Sequence, residues 1–176
     1  MNNIKNFLKN NDFHEPLSFD KVESIDEKIN KDGFGVFIVF SSKPKKELVS
    51  DLNQSLFPLQ SPKMSFEVAK DKLLISSNIL LFGIPHFLYN TKHLLINELV
   101  ELYNTGKRFP KRHFFGKLLF SLRSFQSLKV SWKFCDYSMG VESYLQYLKS
   151  HEEKFNSLPF ANTSSKRRRT PFYVPS

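Results

Sequence analysis

The most regular apolar pattern sits early in the chain. Gly33-Phe-Gly35 leads into Val36-Phe-Ile-Val-Phe40, a short continuous run of β-branched and aromatic residues. A run of this length bounded by turn residues predicts a strand buried on both faces. Ser41-Ser42-Lys-Pro44 follows, with serine suited to a helix N-cap and proline to the first turn. Leu48, Val49, Leu52 and Leu56 then recur at helical spacing, so residues 34–56 read as a strand followed by a crossover helix. Pro58 and Pro62 end it.

Further along, residues 65–84 admit two readings. One is a hairpin turning at Lys70 to Lys72, then a second apolar strand from Ile79 to Phe82; the other makes part of the segment helical. Asn90 or Thr91 can cap a largely apolar helix that stops before Gly106. Pro110 permits a new helix over Lys111 to Ser127. Lys129 to Phe134 alternates Lys/Val/Ser/Trp/Lys/Phe, a half-buried strand pattern. Val141, Tyr144, Leu145, Leu148 and Phe155 mark a last amphipathic helix that stops before Pro159. The polar, mixed-charge residues 1–32 carry Phe7, Leu8, Val22, Ile25 and Ile29, enough to dock one or two short helices on the body.

These elements predict an α+β or small α/β fold: three to four strands packed by about four helices. The chain length suits one domain, expected over residues 1–158 with 1–32 as a peripheral segment. Residues 159–176 are polar, basic and short of aliphatics, and read as a disordered tail.

Composition sharpens this picture. Nineteen phenylalanines against six glycines favour bulky packing over glycine-dependent loops. Cys135 is the only cysteine, so no internal disulfide and no cysteine-based zinc site can form, and a reducing compartment is expected. The N-terminal residues lack the apolar core of a signal peptide and the arginines of a mitochondrial presequence. Leu73 to Tyr89, the most apolar stretch, is interrupted by Ser76, Ser77, Asn78, Pro85 and His86 and reads as core; no membrane partner is expected.

Charge adds a functional expectation. The net charge is +9, yet residues 1–100 hold twelve lysines and twelve acids. Residues 101–176 hold fourteen cations and five acids, so the whole excess lies there. Between Lys107 and Cys135 no Asp or Glu occurs, and aromatic residues are interleaved. On a helical wheel for 111–127, Phe120 falls among cations, a pattern suited to phosphate neutralisation and base stacking. Lys107, Arg108, Lys111, Arg112, Lys117, Phe120, Arg123, Lys129 and Lys133 are therefore the candidate nucleic-acid contacts. The acids Asp20, Glu23, Asp26, Glu27 and Asp32 offer this face an internal counter-charge instead. Lys166-Arg-Arg-Arg169 fits a nuclear localisation signal or an electrostatic anchor, and Pro171-Phe-Tyr-Val-Pro175 an aromatic anchor that docks on a partner or on the domain.

No catalytic motif emerges. No GxxxxGK[ST] follows the first strand, and the five histidines show neither HxxxH nor HExxH spacing. Glu67-Val-Ala-Lys70 differs from a nuclease-type Glu-x-Lys by one residue, and on a strand its two side chains would point apart. The expectation is a non-catalytic, nuclear, nucleic-acid-associated protein binding DNA or RNA. The alternative is a structural or adaptor subunit of a multiprotein complex. Neither reading calls for a cofactor, a metal or a small-molecule substrate.

Overall fold

The computed structural model describes residues 2–27, 33–56, 65–85, 95–108 and 118–162. Four strands form one sheet in the order β1-β4-β2-β3: β1 (Leu17–Ser18), β2 (Gly35–Phe40), β3 (Ile79–Gly83) and β4 (Lys129–Phe134). Every neighbouring pair is antiparallel. β2 pairs with β4 along its full length, from Gly35 opposite Phe134 to Phe40 opposite Lys129.

β2 is buried throughout, as its unbroken apolar sequence requires. Successive strand side chains point to opposite faces, so β2 feeds two cores. Val36, Ile38 and Phe40 meet Leu8, Tyr144, Tyr147 and Leu148 from α1 (Asn2–Asn10) and α5 (Tyr137–Phe155). Phe37 and Val39 meet the other layer, built from α2 (Lys45–Asp51), α3 (Phe66–Ile75), α4 (Leu95–Arg108) and a 3-10 segment at Phe19–Glu27. Each fully buried side chain of this size stabilises the fold by about 1.5–3 kcal/mol. The result is an α+β domain in three layers.

Several expectations are corrected. β3 returns antiparallel beside β2, so α2 is not a parallel crossover. The reading of Lys70 to Lys72 as a hairpin turn fails because Ser65 caps a helix there, its hydroxyl accepting from the Val68 amide at 3.2 Å. On that helix Glu67 and Lys70 share a face and pair at 2.9 Å. α4 does not stop at Gly106 but runs through it. A Cβ at Gly106 would collide with the Phe120 ring, so glycine serves close packing there. Residues 118–127 are not part of a helix: two short 3-10 turns, Leu119–Ser121 and Phe125–Ser127, flank an isolated bridge from Leu122 to Leu52.

Both ends of the chain are also more integral than expected. Phe19, Val22 and Ile25 are core residues, so the segment before β2 is not a rim. The domain does not end at residue 158, because Phe160, Ala161 and Asn162 are buried. Asn162 uses its side-chain amide as a peptide mimic: Oδ1 accepts from the Phe82 amide and Nδ2 donates to the Phe82 carbonyl, each at 2.9 Å. The Ala161 amide donates to the Leu80 carbonyl at 2.7 Å. These residues occupy the outer edge of β3, which would otherwise offer unpaired backbone groups.

Candidate functional site

The basic stretch from Lys107 to Lys133 is divided by the sheet. Lys107 is exposed near the end of α4, its ammonium 5.8 Å from the centre of the Tyr103 ring on the α4 side. Lys133 lies on the other side, 5.4 Å from the Tyr147 ring and 5.7 Å from Phe13. Lys129, also on β4, donates to the Ser18 hydroxyl at 2.6 Å. Arg123 is exposed in the connection before β4, and its amide is bonded to the Asp51 carbonyl at 2.9 Å. The Arg108 side chain and residues Lys111, Arg112 and Lys117 lie outside the described residues, as do Lys166, Arg167, Arg168 and Arg169.

Phe120 is no stacking platform. It is 1 % exposed, edge-on to Phe125 at 5.5 Å between ring centres, and packed over Gly106. The wheel that placed it among cations assumed a helix that residues 118–127 do not form. Of the acids expected to offer an internal counter-charge, Asp20 and Glu23 lie on the α4 side, while Asp32 and the side chains of Asp26 and Glu27 lie outside the described residues. Burial raises the Tyr103 hydroxyl above its ordinary value, and Glu23 and Asp20 raise it further, which puts those acids beside the ring that carries Lys107.

A different set of cations converges where α2, α3 and α5 meet the start of β3. Its centre is His151 on α5, 5 % exposed. His151 Nδ1 lies 2.7 Å from the Ser157 carbonyl, which can only accept, so Nδ1 carries the proton. Nε2 then accepts from the Ser77 hydroxyl at 2.8 Å, and Ser77 Oγ in turn accepts from the Ile79 amide at 3.0 Å. This clamp ties the α3–β3 turn to the end of α5.

Three lysines surround the clamp. Lys45 donates to the Leu74 carbonyl at 3.0 Å, at the negative end of α3. Lys72 donates to the carbonyls of Phe160 and Asn162 at 3.1 and 2.8 Å. Lys154 lies 5.6 Å from the Phe155 ring, which itself leans on His151 at 4.6 Å between ring centres. Burial pushes His151 below its ordinary pKa; the Ser157 hydrogen bond opposes this, and Lys72, Lys154 and Lys45 add to it. Burial also lowers Lys72 to about 8. Among the described residues none of these three lysines is ion-paired.

Nearby, the Asp51 carboxylate accepts from Lys43 at 2.6 Å and from the Ser124 hydroxyl. Burial pushes its pKa up, but those two bonds and the charges of Lys43 and Arg123 outweigh burial and hold it below the ordinary range. Asp51 is thereby committed within the fold. The Ser77–His151 pair has the donor–acceptor order of a nucleophile and its base, yet the imidazole is shut in by Phe82 and Phe155. The bonds that the pair makes hold the α3–β3 turn against the end of α5, in a positive surrounding. No group of three or more potential metal ligands occurs among the described residues, and no helix there is long and apolar enough to cross a membrane.

Charge patterning along the sequence missed this locus, because Lys45, Lys72 and Lys154 are far apart and lie among acids. The one available signal was the Ser41–Pro44 helix start, which fixes Lys45 in the first turn of α2. No known protein family, curated protein or solved structure matches the chain.

Proposed function

We propose that the chain is a non-catalytic, nucleic-acid-associated protein that holds a phosphate backbone at the α2–α3–α5 corner and along the basic run after Asn162. The observation that carries this reading is the convergence of Lys45, Lys72 and Lys154 around His151, without an acid acting on the imidazole among the described residues. Positive groups gathered without carboxylate partners favour a polyanion, and phosphates supply the counter-charge in series. Lys166 follows the anchored Asn162 by four residues, a span of at most about 14 Å. The Lys166–Arg169 cluster therefore begins within reach of the same corner, and it also supplies the nuclear import signal.

The test is binding of a labelled strand of about 20 nucleotides, and of its duplex, across a salt series. Lys45→Glu with Lys154→Glu is expected to weaken binding at least about tenfold and to reduce the salt slope by about 1.4 on the single strand and 1.8 on the duplex. Lys107→Glu with Arg123→Glu, both exposed, is expected to change affinity about twofold or less. The reverse ranking would return the interface to the 107–133 stretch. No effect from either pair would leave the adaptor reading, in which the protein is a structural subunit of a larger assembly.

A further inference from the structure

α3 buries Ala69 and Leu73 and turns three large apolar side chains outward: Val68 is 50 % exposed, Leu74 45 % and Ile75 56 %. Asp71 is three residues from Val68 and Leu74 and four from Ile75, so it sits among them on the helix surface. It is exposed and has no ion pair among the described residues. Glu67, one turn before Asp71, is already paired with Lys70, so the apolar residues surround a carboxylate without a cation of its own, which matches a ligand that is aromatic next to a cation.

The chain carries such a ligand and delivers it to this helix. Lys72 lies one turn from both Val68 and Ile75, and its ammonium holds the Asn162 carbonyl at 2.8 Å. The last described residue is thus fastened to the flank of the exposed face. Beyond it come Lys166-Arg-Arg-Arg169 and then Phe172-Tyr-Val174. Ten residues separate Asn162 from Phe172 and span at most about 36 Å. Val68 to Ile75 is only about 10 Å along the helix, so the reach is ample.

We propose that Phe172, Tyr173 and Val174 dock on the outer face of α3 over Val68, Leu74 and Ile75, with an arginine of the 167–169 run against Asp71. The docked end closes a loop through Asn162 and holds the basic run beside Lys72. The proposal rests on exposure, chain geometry and charge, and stands apart from nucleic-acid binding.

The experiment uses the full chain with benzoylphenylalanine in place of Phe172, irradiated in dilute solution and mapped by mass spectrometry. Crosslinks within Phe66–Ile75 of the same molecule are expected, and Val68→Asp with Ile75→Asp should remove them while leaving the unfolding transition in place. Crosslinks to another surface, crosslinks to a second copy, or crosslinks that survive the double substitution would overturn the proposal. Trypsin gives an independent reading. Cleavage after Arg167 to Arg169 is expected to be about tenfold faster in the double variant, because the protease acts on the undocked fraction. Equal rates would sink it.

Discussion

Lys107 and Lys133 belong to one acid-free stretch of sequence, yet they rest on opposite sides of the sheet. Lys45 and Lys154 come from opposite ends of the chain, yet both act on one imidazole. The contrast has a simple cause. A contiguous basic run becomes a single face only if one element carries all of it. Here the run begins on α4 and ends on β4, and among the described residues before β4 it passes through the two 3-10 turns, so its cations are carried by different elements. The corner around His151 is built the other way, from three helices whose ends meet, so no local charge count registers it.

The largest expected effect tests whether the acid-free stretch is core or interface. Phe120→Ala removes a ring packed against Gly106 and Phe125 and is expected to cost about 3–5 kcal/mol of stability. Chemical denaturation would measure it. A variant as stable as the parent but weaker on single strands would restore Phe120 as a base-stacking residue and undo the contrast.

The next effect concerns what holds the corner together. Asn162→Ala leaves the Phe82 amide and carbonyl without their partners on the β3 edge. The expected loss is about 2 kcal/mol, with faster hydrogen exchange at Phe82. An unchanged Phe82 amide would show that the edge is satisfied without Asn162.

The smallest effect is electrostatic and separates a buried lysine from an exposed one. Lys72 has a pKa near 8 in the folded chain against 10.5 in its unperturbed state. Between those values the unfolded chain binds more protons than the folded one, so stability rises with pH across that window. Below pH 8 both states are protonated and the burial penalty is fully present. From pH 7.5 to 9.5 the parent is expected to gain on the order of 1 kcal/mol over Lys72→Met. Parallel stability–pH curves for the two proteins would mean that Lys72 keeps its proton, held by the carbonyls of Phe160 and Asn162.

What was legible followed from patterns that a single element satisfies alone. The run from Val36 to Phe40 can be buried only on both faces, and it is the central strand of two cores. The alternation in β4 and the helical spacing from Val141 to Phe155 also needed no partner to be read. Where two structures fit one pattern, local signals decided poorly. Ser65 is a good helix start, but Phe66-Glu-Val68 also alternates apolar and polar as a strand does. Leu118, Leu119, Phe120 and Leu122 fit a helical stripe, yet all four are buried here in tight turns. Tertiary packing can bury an apolar cluster whatever its backbone shape.

By itself, then, the sequence determined the mixed α+β class, the central strand, the last helix and the surplus of positive charge towards its end. Only the tertiary structure decided the antiparallel order of the sheet, the pairing of the Asn162 side chain with the edge of β3, and which lysines share a neighbourhood. Those features depend on contacts between residues distant in sequence. Burial of a polar group such as Asn162 or His151 is tolerated only where the fold supplies its hydrogen-bond partners, and no pattern within one segment specifies where those partners come from.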